Sequence, residues 1–343
     1  DLDLYVVSGS NEYEKNASQY VDRIYRNDNG QFESVAQVFD QSMPVSGSIV
    51  RPYDFDDDGD LDLFVGGRQA PGRYPNSGTS LLWKNDTKDG QIQFTRVENS
   101  VLENIGMVTD AIWADLNGDQ KAELVVVGEW MPLTVFEYEN GTLIPNEKWT
   151  PKHTTGWWRS IAAADFDGDG DIDLVAGNLG QNSKYQASPI APFQIHSKDF
   201  DQTGTQDIVL SFHQEGKEFP LRGRECSSNQ MPFIKKKFPN YHTFASASLE
   251  EVYGEENLAT ALHYEVDNFA SSYFENNGNG QLNMQPLPSL AQITSIKEII
   301  PEDFNADGHL DLLLFGNWYG FEVETPRQDA AFGLFLVGNS NGT

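Results

Sequence analysis

The feature that most constrains this chain is a nine-residue acidic pattern that recurs along it in one register. The fullest copy is Asp165-Phe-Asp167-Gly-Asp169-Gly-Asp171-Ile-Asp173, followed by Leu-Val-Ala-Gly-Asn. Asp54, Asp56, Asp58, Asp60 and Asp62 form a second copy, and Asp303, Asn305, Asp307, His309 and Asp311 a third. Asp115, Asn117, Asp119, Lys121 and Glu123 form a fourth, and Asp199, Asp201, Thr203, Thr205 and Asp207 a fifth. The opening Asp1-Leu-Asp3 aligns with Asp60-Leu-Asp62, so it reads as a sixth copy whose first ligand positions would lie before residue 1.

Side-chain oxygens at positions 1, 3, 5 and 9, with the carbonyl of position 7, can wrap one cation. The usual Gly at position 6 allows the sharp turn. Crowding carboxylates in this way is costly unless a cation neutralises them. Ca²⁺ suits a flexible shell of oxygens better than Mg²⁺, which demands fixed octahedral sites with retained water. An EF-hand would need Glu at position 12, where Val65, Ala176 and Leu314 stand here. The five complete loops offer 17 acidic ligand candidates, and five bound Ca²⁺ would bring the net charge from −29 to −19. The loops at Asp54, Asp165 and Asp303 are expected to hold Ca²⁺ best. Those with Thr203 at position 5 and Gln120 at position 6 are expected to bind weakly or stay vacant. The position-7 residues, Lys121, Thr205 and His309 among them, would act through the backbone.

Acids outnumber bases 52 to 23, which argues against a nucleic-acid partner. No apolar run reaches the length of a membrane span. The single cysteine, Cys226, excludes an internal disulfide framework and reads as a small buried hydrophobe.

Each loop joins two β-type segments, such as RSIAAADF before it and DLVAGN after it. Hairpin signals follow in several units: DRIYRNDNG-QFESV, SLLWKND with QIQFTRV, and LTVFEYEN-G-TLIPN. Strand–loop–strand–strand–strand is one propeller blade, and blades repeat at roughly 40 to 50 residues. Position-9 residues are spaced by 59, 61, 50, 34 and 104. The short spacing and the long one are anomalous, and the latter holds an insertion at 213–265 with helix-like FASASLEEVYG and EENLATALHY. The fold expected is all-β: one propeller domain over 1–343, of six or seven four-stranded blades, with the first and last incomplete. The chain reads as part of a longer protein.

The D-x-[DN]-x-D-G-x-x-D-[LI] loops, with L-[YW]-x-N-x-x-G-x-F hairpins, resemble the FG-GAP/VCBS repeat family, as in integrin α-subunit propellers and cartilage acidic protein. The insertion RGRECSSNQMPFIKKKFPNYHTFASASLEEVYG is similar to one in large surface proteins of Bacteroidota that carry ASPIC/UnbV-type domains and accompany TonB-dependent uptake systems. The resemblance implies a calcium-stabilised extracellular or cell-surface propeller. Its partners would be other surface or outer-membrane proteins, or glycan.

In a propeller the acidic loops share one face, and the second-to-third-strand connections share the other. Those connections carry Arg68, Tyr74, Glu129, Trp130, Lys184, Tyr185, Trp318 and Tyr319, candidates for a ligand or partner face, although Trp130 and Trp318 could equally fill gaps between blades. The pair Trp157-Trp158 is expected in the core. The basic cluster Arg222, Arg224, Lys235, Lys236 and Lys237 could dock an acidic group or balance the protein's own charge. No G-x-S-x-G, P-loop, H-E-x-x-H or dinucleotide fingerprint occurs. The expected function is therefore non-enzymatic recognition. The alternative is a calcium-dependent polysaccharide lyase or hydrolase, using Lys184, Tyr185 or Tyr319 as base, or a carboxylate pair among Glu129, Glu322 and Glu324.

Overall fold

The computed structural model describes residues 2–39, 43–321 and 325–339. Alternating apolar residues flank each acidic loop, and they fold as the two strands the pattern predicts. Tyr53 pairs with Asp62, Ala114 with Glu123, Ala164 with Asp173, Lys198 with Asp207 and Glu302 with Asp311. The described residues form six small antiparallel sheets. Three hairpins read from the sequence stand as 23–28 with 31–35, 81–85 with 94–96 and 134–139 with 142–145.

The sheets fall into two compact units. The first unit comprises 1–152, 156–182 and 270–343. It contains five sheets, of which the first (Leu4–Val6, Arg23–Asp28, Gln31–Val35) and last (Glu298–Glu302, Asp311–Phe315, Leu334–Leu336) have three strands, the short ends expected. Successive sheets bury apolar faces against each other. Val65 and Trp83 belong to the core between the first and second, Phe64 and Val126 to the next, Val127 and Leu174 to the third, and Val175 and Leu314 to the fourth. Polar rungs join neighbouring first strands: Ser48 Oγ donates to the Val108 carbonyl at 2.7 Å, Thr109 Oγ1 to Trp158 at 2.9 Å and Ser160 Oγ to Ile296 at 3.2 Å. This is a propeller-like stack of blades.

The second unit comprises 153–155 and 183–269. Its four-stranded sheet carries the Asp199 loop, in the order 217–220, 207–214, 193–198 and 262–266. Five short helices lie between Arg224–Gln230 and Glu255–Ala259. Met231, Ile234, Phe244, Leu249 and Val252 pack with Phe200 of the Asp199 loop and Val209 of the sheet.

This connectivity differs from the expected serial order of blades. The strand Asp173–Gly177 pairs with Ser272–Asn276, and the SSYFENNGNGQLNM hairpin is the outer half of the Asp165 sheet. Residues 183–269 are thus inserted between the second and third strands of that blade. Leaving out those 87 residues, Asp173 and Asp311 stand 51 positions apart, a normal blade repeat. Both anomalous spacings have this one cause. The interruption is therefore longer than 213–265 and includes a sheet of its own. The helices 224–230 and 233–237 and the start of 241–245 fall outside the segments read as helix-like, and 262–266 is a strand rather than a helix end.

Candidate functional site

The five complete loops share one backbone course. The position-1 carboxylate bends back over the turn: Asp165 accepts from the Gly168 and Gly170 N–H groups at 2.8 and 3.0 Å, and Asp54, Asp115, Asp199 and Asp303 accept equivalent bonds. Position 6 is left-handed in every copy, including Gln120 at φ 73°. Asp58, Asp119, Asp169 and Asp307, at position 5, each accept from the position-7 N–H.

Position 9 behaves in a way that spacing alone does not disclose. Asp62, Glu123, Asp173, Asp207 and Asp311 are all buried. Each accepts from the N–H of position 2: Phe55, Leu116, Phe166, Phe200 and Phe304, at 2.8–3.2 Å. Asp62, Asp173 and Asp311 also accept from the backbone of a later segment, through Asn85, Asn276 and Gly338 at 2.7–2.9 Å. The ninth residue is thus a strand-closing acceptor as well as a ligand candidate. Burial, followed by neighbouring acids and against these hydrogen bonds, pushes Asp62 and Asp173 up to about 6 and Glu123 up to about 7.

Three loops gather carboxylates tightly enough for one ion. Oxygens of Asp54, Asp56 and Asp58, of Asp165, Asp167 and Asp173, and of Asp199, Asp201 and Asp207 lie within 4.8 Å of one another in each group. Asp56 Oδ1, Asp60 Oδ1 and Asp201 Oδ1 are buried with no hydrogen-bond partner, which fits a cation that the polypeptide does not supply. The Asp199 loop, ranked low because of Thr203, therefore assembles a cluster through Asp207. The Asp303 loop, with Asn305 at position 3, and the Asp115 loop do not bring three carboxylates together among the described residues. In the Asp54 loop, Lys84 Nζ bonds both Asp56 and Asp58, the latter at 2.9 Å. Lys121 Nζ reaches Asp57 at 2.7 Å. Among the described residues no lysine or arginine pairs with Asp165, Asp167 or Asp173.

The opposite ends of the strands in the first unit enclose a cavity of about 550 Å³ to which all five sheets contribute. Gly9, Ser46, Thr109, Arg159 and Lys297 represent the successive sheets, and Arg68 and Trp318 close its wall. Beside it, Glu129 is buried and accepts from Arg68 Nη2 at 2.7 Å, Tyr74 Oη at 2.8 Å and Arg159 Nη1 at 3.4 Å. Trp130 Nε1 donates to Tyr74 Oη at 2.6 Å. Burial opposes ionisation of Glu129, but the two guanidiniums outweigh it and hold the carboxyl below its usual range. Arg159 lies over the Trp318 ring at 3.8 Å, and Trp157 meets Trp130 and Trp318 edge-on.

The sequence candidates Arg68, Tyr74, Glu129, Trp130 and Trp318 are thus brought together, with Arg159 and Lys297 added. Arg159 follows Trp157-Trp158, both buried as expected, and nothing in the sequence marks it as different from a surface arginine. Tyr319 is 62% exposed, with Arg327 above its ring. In the second unit Tyr185 is buried and stacks on Phe193 at 4.7 Å, so it packs a core rather than presenting a face; Lys184 sits over its ring. The basic cluster is partly used internally: Lys235 pairs with Glu225 at 2.9 Å, and Arg224 donates to the Phe238 carbonyl at 2.6 Å. Cys226 is half-buried. Glu322 and Glu324 lie outside the described residues. Glu129, held ionised by two arginines, is unsuited to act as a general acid.

Serial blades tied by acidic strand-to-strand loops define a propeller-like repeat protein. The FG-GAP-like repeat model matches residues 1–65, 54–126 and 115–176, just over half of the chain, and the chain belongs to that family. No curated protein matches it. Among solved structures, the V. cholerae biofilm matrix protein Bap1 is similar at 11% identity and a TM-score of 0.21, over 99% of this chain and 80% of that one. No helix among the described residues is long and apolar enough to cross a membrane.

Proposed function

We propose that this protein is a non-enzymatic, calcium-binding propeller of the extracellular space or cell surface, and that it serves recognition. The observation that carries the metal reading is the set of converging carboxylates with buried, partnerless oxygens at Asp56, Asp60 and Asp201. Asp165, Asp167 and Asp173 would hold one ion, as would Asp54, Asp56 and Asp58, and Asp199, Asp201 and Asp207. The ion would supply charge neutralisation and a link between adjacent strands, so its role is structural. A medium with millimolar calcium would keep such loops filled, which favours an exported location. The insertion's resemblance to bacterial surface proteins supports a place beside other outer-membrane proteins in a nutrient-uptake assembly.

A site of micromolar affinity in millimolar calcium adds about 4 kcal/mol to folding stability by mass action. Calcium titration followed by melting, with and without EDTA, tests the reading. A large EDTA-induced fall in Tm, reversed by calcium, is expected; an unchanged Tm together with no calcium heat in calorimetry would overturn it.

A further inference from the structure

The cavity at the strand ends of the first unit faces more positive charge than the protein balances. Arg68, Arg159 and Lys297 line it, and among the described residues Glu129 is the one carboxylate paired with Arg68 and Arg159. The Arg159 side chain is only 6% exposed, yet only Nη1 is bound, to Glu129; Nε and Nη2 are buried without a hydrogen-bond partner. Arg68 spends Nη2 on the same carboxylate and leaves Nε unpartnered. Lys297 has no carboxylate within ion-pair distance among the described residues, and burial, with Arg159 and Arg68 nearby, pushes its ammonium below the usual lysine value. Buried donors without acceptors are costly, and a ligand that brings acceptors repays them.

The rest of the wall narrows the ligand class. Ser46, Ser48 and Thr109 donate their hydroxyl protons to backbone carbonyls and keep lone pairs as acceptors, while Ser10, Asn11 and Gln69 add a hydroxyl and two amides, a set that can pair with a polyol. The volume lies within the roughly 300–1,000 Å³ of small-ligand sites and exceeds what a bare inorganic anion needs. A guanidinium edge with two free N–H groups suits the two oxygens of a carboxylate. We infer that this cavity binds an acidic saccharide, its carboxylate held by Arg159 and Lys297 and its hydroxyls by the serine, asparagine and glutamine side chains around them. The inference rests on the reading of the protein as a recognition module and names the ligand's chemistry. An acidic peptide would satisfy the cations equally, but it has less use for a wall of hydroxyls.

Calorimetric titration of the whole chain in calcium buffer tests it, with a β-1,4-linked glucuronate trisaccharide, its carboxyl-reduced counterpart, hexaglutamate and sulfate as probes. The uronate should bind, and reduction of its carboxyls should weaken binding at least about tenfold, the loss of one charge-assisted contact. Lys297→Gln should weaken the uronate several-fold, and Arg159→Gln about tenfold or more. Lys297 has no ion pair to lose among the described residues, so its variant keeps the test open if Arg159→Gln fails to fold. No uronate binding, equal binding of the reduced sugar, or affinity unchanged in the variants would overturn the inference. Hexaglutamate or sulfate binding as tightly as the uronate would overturn the saccharide class. Melting with and without EDTA on the same samples separates the two readings: an EDTA shift without uronate binding strikes this inference alone, and uronate binding without a shift strikes the calcium reading alone.

Discussion

Gln120 occupies a backbone conformation that its side chain does not favour. It sits at φ 73°, where the Asp54, Asp165, Asp199 and Asp303 loops place glycine. A non-glycine residue in the left-handed region costs roughly 1–2 kcal/mol. Gln120→Gly is therefore expected to raise stability by about 1 kcal/mol, measured by urea unfolding; a loss would show that the Gln120 side chain contributes more than its strain. Asp22 carries a pH signature. Its carboxylate accepts from Tyr5 Oη at 2.7 Å and from the Ser8 N–H at 2.6 Å, yet burial outweighs these bonds and pushes its pKa up to about 6. The folded state thus holds this proton more tightly than the unfolded chain. The corresponding stability is fully present below about pH 4 and is lost as pH rises through about 6. Asp22→Asn should be more stable than the parent by on the order of 1–2 kcal/mol at pH 8, with the gain vanishing near pH 4. At this scale the spacing marked the loops in which carboxylates converge at Asp54, Asp165 and Asp199, but not which of their oxygens come together. The double duty of position 9 was not legible. Its partners, Asn276 for Asp173 and Gly338 for Asp311, are distant in sequence and carry no motif.

The strand pairs around each loop were readable because alternation and loop chemistry agree. The glycine that ends the second strands was readable as a turn signal, but its purpose is different. A Cβ on Gly177 would stand 2.5 Å from the Ile296 carbonyl oxygen of the next sheet, and one on Gly66 would stand 2.6 Å from Val108 Cγ1. These glycines let neighbouring blades approach. Gly177→Ala should cost about 1–3 kcal/mol, seen as a lower urea midpoint. A neutral result would mean that the last sheet yields at Ile296. The first three helices of the second unit escaped the sequence reading for a physical reason. Pro232 and Pro239 interrupt the stretch that holds them, and these short helices, like the later two, are held by packing rather than by an amphipathic period. The helix Leu249–Tyr253 begins with a capping box, in which Ser248 and Glu251 exchange bonds of 2.8 and 3.2 Å.

At the scale of the whole molecule, the sequence disclosed the repeat but not that one blade is interrupted by another sheet, because a spacing records distance along the chain and not strand partners. The interruption returns to where it left: Asn178 N–H donates to Ser271 Oγ at 2.9 Å. Replacing 183–269 with a linker of about four residues should therefore leave the first unit folded, with calcium-dependent melting intact. Aggregation or a lost transition would show that the insertion is needed for folding. Asp167→Ala should lower the calcium-dependent part of Tm, because Asp167 belongs to a cluster with no lysine or arginine partner among the described residues; an unchanged EDTA shift would remove the Asp165 loop from the metal set. The loop at Asp54 differs, since Lys84 already lies against two of its carboxylates. Under the calcium reading, an incoming ion there must first evict a tethered ammonium, whereas the Asp165 loop has no such tenant among the described residues. The protein would then fill in sequence as the surrounding ion concentration rises, with the lysine-guarded loop among the last to load.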